Sequence, residues 1–451
     1  MTPTATRPPA VTSTPYATAT APTAITTSLE RTKYQLTAAL DYARHHLVVT
    51  QTITYTNSTG EILTMLPLVV EANRLPGVFE LDELRWTDGQ EIKGITLEGA
   101  RMDVPLIQPL APARTAAFSV FFRIALPARA APLGYSTHQV NLGDWYPYVP
   151  PFQPNHGWLI HEPGLVGEHQ VYDVSMYRVA LRLVGQQTDL TVAASAPALI
   201  DGSWRRYYVD AARNFTLSLS PEYVMLHDNS GPVAVEAFVF PEHRAAGQAA
   251  LQTTASALAL YGRLFAPYPH ASLSLVEADF ADGMEFDGLY FLGREYFAAY
   301  DGTSRNYLTA LAAHETAHQW WYGLVGNDQA LEPWLDEALS TYSELLYYEA
   351  DYPEHVNWWW NFRANRFQPT GWVNSTIYEH QTFRPYVDAV YLRGAKFLQS
   401  LRDRVGETEF RELLQMYAMR FSQGQAKAEY FFNILYALGA SDDPTSEYFR
   451  R

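Results

Sequence analysis

The five residues His314-Glu315-Thr316-Ala317-His318 constrain this chain more than any other stretch. Two histidines four positions apart lie one above the other on a helix, where both imidazoles can reach a single metal ion. The surrounding residues carry that helix. Tyr307, Leu311, His314, His318 and Trp321 recur at helical spacing, and Gly323 supplies a stop, so a helix is predicted over 306–322. Glu315 falls about 100° round from His314, which sets its carboxylate beside such a metal rather than on it. From there it can take a proton from water.

A catalytic zinc takes three protein ligands and keeps one position open. After His318 the chain passes a turn at 323–328 and restarts at Glu332-Pro333, with proline well placed for a first helical position. A second helix is predicted over 333–348. Its apolar stripe is Leu335, Leu339, Tyr342 and Leu346; Glu337 sits off that stripe, so an antiparallel return can present it to the same metal. Taken alone, Glu337 reads equally well as part of a solvated acidic face, with Asp336 as a rival next door.

The rest of the chain divides by texture. All but five of the first 28 residues are Thr, Pro, Ala or Ser, the exceptions being Met1, Arg7, Val11, Tyr16 and Ile25. Such a segment buries too little apolar area to offset its ordering entropy and reads as a disordered stalk or tail. Residues 29–227 carry β-branched, partly alternating runs at 47–56, 117–124, 174–183 and 207–219, with Asp88-Gly89 and Asp201-Gly202 as turns. An antiparallel β domain is expected there. Residues 228–451 carry helical spacing at 242–265, strand-like pieces at 272–277 and 288–292, then helical segments at 391–404 and 407–420. Strands first and helices later predict a multidomain β plus α+β protein.

Composition removes several function classes. Lys plus Arg number 32 against 48 Asp plus Glu, a net charge of −16, which argues against a nucleic-acid partner. There is no cysteine, so disulfides, thiolate-bound zinc and thiol nucleophiles are all excluded. No apolar run is long enough for a transmembrane segment. The Thr/Pro-rich start is the one pointer to placement, toward an extracellular or cell-surface tethered protein, with a cytoplasmic one as the alternative.

The pattern His314-Glu315-x-x-His318 with Glu337 downstream resembles the gluzincin signature of the M1 metallopeptidases, zinc aminopeptidases related to leukotriene A4 hydrolase. Asp282-Gly283-Met284-Glu285-Phe286 is similar to the family's Gly-Ala-Met-Glu-Asn exopeptidase motif. Val390-Tyr391-Leu392-Arg393-Gly394-Ala395 is similar to the segment with the family's catalytic tyrosine. Gly143-Asp144-Trp145-Tyr146-Pro147 resembles an element of the family's amino-terminal domain. The resemblance covers residues 30–451 and is to a short form without the large helical carboxy-terminal domain of many members.

The resemblance implies a saddle-like amino-terminal antiparallel β-sheet domain and a thermolysin-like, mostly helical catalytic domain. It implies one zinc ion per chain on His314, His318 and Glu337, with Glu315 as general base and Tyr391 as hydrogen-bond donor to the oxyanion. Gly283, Met284 and Glu285 would bind substrate, Glu285 through the free α-amino group. The partners implied are peptides with a free amino terminus. Phe286 in place of the family asparagine, and Gly283 in place of its alanine, leave substrate preference open. A zinc endopeptidase and a non-catalytic peptide-binding scaffold are the competing readings.

Overall fold

Alternation along the first strands builds the amino-terminal half. In His46–Thr56, Leu47, Val49, Gln51, Ile53 and Tyr55 face inward and their neighbours outward. The one polar member, Gln51, donates to Pro147 O at 2.7 Å, which offsets part of the cost of burying its amide. In this computed structural model, which describes residues 30–185, 189–440 and 445–450, seven strands form one sheet. Their spatial order is Leu199–Asp201, Trp204–Ala212, Ser175–Val184, Lys33–Asp41, His46–Thr56, Thr115–Ala125 and Phe79–Trp86. The expected stalk, residues 1–28, lies outside the described residues.

The sheet departs from a purely antiparallel one at a single pairing, where Lys33–Asp41 runs parallel to Ser175–Val184. Over 130 residues separate the two strands, ample for the crossover that parallel pairing requires. The run expected at 207–219 is two strands, Trp204–Ala212 and Leu217–Ser220. The break falls at Arg213, whose side chain is drawn out of the sheet. Fully buried, it donates to the carbonyls of Tyr172, Tyr322, Gly323, Leu324 and Gly424, tying this half to the turn that follows His318.

The second half is built on a mixed five-stranded sheet: Val224–Asp228, Ala234–Val239, Ser272–Ala278, Leu289–Gly293 and, at the edge, Gly283–Phe286. The boundary expected at 227/228 therefore falls inside a strand of this sheet. The helix Arg244–Leu264 crosses between two parallel strands and packs on the helix Tyr307–Ala317, here called the motif helix. Trp334–Asp351, the return helix, packs against the motif helix in turn, and Arg393–Val405 covers the return helix. No helix among the described residues is long and apolar enough to cross a membrane.

Candidate active site

The motif helix begins at Asn306, whose side-chain oxygen accepts from Thr309 N at 2.9 Å and caps the first turn. It ends at Ala317 rather than near Tyr322. Beyond it, Gly323 N, Leu324 N and Val325 N bond back five residues, to His318, Gln319 and Trp320. These wide turns free the Trp321 carbonyl, which accepts from His318 Nδ1 at 3.0 Å. A carbonyl only accepts, so Nδ1 carries the proton and Nε2 presents a lone pair.

His314 is fixed in the same way. Its Nδ1 lies 3.0 Å from Glu344 Oε1, two turns after Glu337 on the return helix. Glu344 is fully buried and is held by Trp359 Nε1 at 2.9 Å and by Arg363 Nε and a terminal guanidinium nitrogen at 2.9 and 2.8 Å. Both Nε2 atoms then face Glu337 Oε2, at 3.3 Å from His314 and 3.5 Å from His318, and stand 3.1 Å from each other. Ligands about 2.0–2.1 Å from a tetrahedral zinc stand roughly 3.3 Å from one another. Two lone pairs and a carboxylate converging at that spacing suit a cation. Burial would raise the Glu337 carboxyl, but His318 and His314 hold it down at about 2, so it is an anion at neutral pH.

Glu315 lies on the same helix, buried, with Oε2 lacking a hydrogen-bond partner. Burial pushes its carboxyl up to about 8. Its Oε1 rests in the space above Gly283, only 1.9 Å from where a Cβ on that glycine would be, so this position of Glu315 depends on glycine there.

Strand alternation divides the exopeptidase-like segment. Gly283 and Glu285 turn toward the histidines. Met284, expected to touch substrate with them, turns the other way and packs with Phe286 against Phe238, Phe240 and Phe291. Phe286 fills the space left by Gly143, where a Cβ would approach its ring to 2.6 Å. It is a packing residue between the two halves, turned away from the site.

Tyr391 comes from a wide-turned π-helix, Val387–Leu392, which precedes the helix Arg393–Val405 where one continuous helix over 391–404 was expected. Its ring stacks parallel to that of His314 at 5.9 Å. Burial, then Glu337, holds its phenol well above the ordinary range, so it stays protonated and can donate. Five residues earlier, one turn of a π-helix, Tyr386 meets Tyr391 edge to face at 5.6 Å, with a fully buried hydroxyl that has no partner.

Tyr386 and the amino-terminal half's contribution, Glu168, were not among the site residues expected from the sequence. One oxygen from each of Glu168, Glu285 and Glu337 lies within 4.8 Å of the others. Burial, then Glu285 and Glu337, pushes the Glu168 carboxyl well up. Burial likewise raises Glu285. Neither Tyr386 nor Glu168 carries a motif or a periodicity in the sequence that marks it as part of the site.

Residues 249–449 match the family model described as Peptidase family M1 domain. The chain is 30% identical over 216 residues to endoplasmic reticulum aminopeptidase 2 of Homo sapiens, a match covering 44% of this chain and 22% of that protein. It is 26% identical over 224 residues to aminopeptidase M1 of Arabidopsis thaliana, covering 46% and 25%. The match thus takes in a quarter or less of these relatives' own length. In fold the chain is similar to the M1 zinc metallopeptidase of Deinococcus radiodurans, with a TM-score of 0.64, 18% identity and 91% of each chain covered. A mutant of that enzyme, matched equally well, is bound to a Tyr-Ser-Ala substrate.

Proposed function

We propose that the chain, whose residues 249–449 match the Peptidase family M1 domain and whose fold is similar to an M1 zinc metallopeptidase, is an aminopeptidase that hydrolyses the first peptide bond of peptides with a free amino terminus. The observation that carries this reading is the group of acids beside the metal triad. Glu168 and Glu285 are not needed by the metal, yet their oxygens lie within 4.8 Å of each other and of Glu337. Carboxylates packed so closely repel, and a substrate ammonium relieves that repulsion. An internal stretch of peptide offers no cation there.

One zinc ion held by His314, His318 and Glu337 would polarise the scissile carbonyl and make water acidic enough to attack. Burial raises the Glu315 carboxyl, and the positive charge of a zinc beside it would favour its carboxylate form, which takes the proton of the attacking water and returns it to the leaving amine. Tyr391 donates its phenolic hydrogen to the oxygen that gains charge as the carbonyl becomes tetrahedral. Glu285 and Glu168 grip the α-ammonium and so set the distance from the amino terminus to the bond that is cut. The Gly283–Phe286 strand lies at a sheet edge, where its free backbone groups can pair with an extended peptide.

The test is hydrolysis of aminoacyl-7-amido-4-methylcoumarins beside their N-acetylated forms, with zinc content measured and Glu315→Gln as control. Only the free-amine substrates are cleaved, and Glu315→Gln keeps its zinc while losing about 10²–10⁴ in rate. Cleavage of both sets alike, or zinc without cleavage of either, sinks the reading.

A further inference from the structure

Glu285 faces a difficulty that the triad does not explain. It is 5% exposed and packed near Glu168 and Glu337, so repulsion favours its turning away or taking up a proton. His318 attracts it across the site, and one neighbouring side chain hydrogen-bonds to it directly. Gln329 Nε2 donates to Glu285 Oε1 at 2.9 Å, and Gln329 is itself 4% exposed. It also lies near Asp336, which is buried with an oxygen lacking any partner.

The amide is held in place by its loop. Asn327 Nδ2 donates to Glu332 O at 3.1 Å, and Asp328 Oδ1 accepts from Leu331 N at 3.1 Å. Asp328 also meets His161 Nε2 at 3.0 Å, on the segment that brings in Glu168. On the other side Gly326 exchanges backbone bonds with Gly424 and Ala426 at 3.0 and 2.7 Å. With the backbone pinned on both sides, the amide has little freedom to follow a carboxylate that swings.

We propose that Gln329 is a positioning residue for amino-terminus recognition: it holds the Glu285 carboxylate in the orientation that receives the substrate's α-ammonium. The inference rests on the aminopeptidase reading. The chemistry of the residue fits the task. An arginine or lysine there would cancel the charge of Glu285 and compete with the substrate, whereas a neutral amide orients the carboxylate and leaves its charge available. An aliphatic side chain would leave Oε1 buried without a donor.

The test compares two ligands that differ only in the amine, L-leucine hydroxamate and 4-methylpentanoic hydroxamate, by titration calorimetry on zinc-loaded protein. Gln329→Met weakens the amino ligand about ten- to hundredfold, the worth of a hydrogen bond to a charged group, and leaves the des-amino ligand within about twofold. In a Glu285→Gln background the same substitution costs the amino ligand nothing more. Gln329→Asn, which keeps the loop polar but withdraws the amide by one methylene, gives the same selective loss in smaller measure. Equal weakening of both ligands, or a full repeat of the loss in the Glu285→Gln background, overturns the proposal, since a merely structural role predicts either. Wild-type protein that binds the two hydroxamates alike removes the aminopeptidase reading and this inference together. A wild-type preference for the amine that Gln329→Met leaves intact overturns this inference alone.

Discussion

Glu344 shows how much of a metal centre can rest on a residue that never touches the metal. Its Oε1 fixes the ring of His314 through Nδ1, and Arg363 and Trp359 fix Glu344 in turn. Loss of such a partner lowers metal affinity about 10–100-fold. Glu344→Gln, which removes the charge that makes His314 a better donor, is expected to weaken zinc by that factor in competition with a chelator. Unchanged affinity in a folded variant would remove Glu344 from the site. Sequence spacing pointed to His314, Glu315 and His318, because helical geometry predicts how they sit round one helix, and the family resemblance added Glu337 from the next helix. Glu344 stands two turns beyond Glu337 in the same helix, yet an acid there reads as surface until Trp359 and Arg363 are seen to bury it. Met284 shows the converse: the motif named it, and the two-residue period of a strand turned it away.

At the scale of elements, the motif helix is short and buried along most of its length, so its start matters. Asn306 supplies the only side-chain cap recorded for it, by accepting from Thr309 N. Asn306→Ala is expected to cost about 1 kcal/mol in denaturant titration, with the zinc-loaded protein the more resistant of the two forms. No measurable change would mean that packing alone sets the first turn. Periodicity located the start of this helix, the return helix and the strands His46–Thr56, Thr115–Ala125, Ser175–Val184, Ser272–Ala278 and Leu289–Gly293 to within a few residues, and did not single out Lys33–Asp41, Phe79–Trp86 or Arg101–Leu110. It failed where the backbone leaves regular geometry, at the wide turns after Ala317 and through Val387–Leu392. Both departures serve the site, one freeing the Trp321 carbonyl for His318 and the other setting Tyr386 edge to face against Tyr391. A wide turn has no residue signature, because it is selected by what it brings together.

Across the whole molecule the two halves meet at a polar seam, where Arg213 N donates to Asp287 Oδ2 at 2.8 Å and His270 Nε2 lies 2.6 Å from Asp287 Oδ1. Burial pulls the His270 imidazole down, but Asp287 more than offsets this and its pKa ends raised. Burial raises Asp287, but His270 and then Arg213 bring it below the ordinary carboxylate value. A raised imidazole stabilises the fold fully below its unfolded value of about 6.5 and loses that as pH rises through its folded value. A lowered carboxyl stabilises above about pH 4 and loses that as pH falls through its own folded value. The pair therefore contributes most between about pH 4 and 6.5, and the gap in Tm between wild type and His270→Asn is expected to narrow from pH 6 to pH 8.5. A gap that stays constant over that range would show that the ion pair contributes nothing there. By itself the sequence determined the division into a β half and a mostly helical half and the pairing of His314 with His318, because both follow from spacing along the chain, while Glu337 rather than Asp336 was chosen only by the family resemblance. Tertiary structure alone decided that Glu168 crosses from the first half to meet Glu285, that Gln329 holds Glu285, and that Phe286 packs on Gly143. Those contacts join segments far apart in the chain, and their energy comes from burial and charge that no local pattern records.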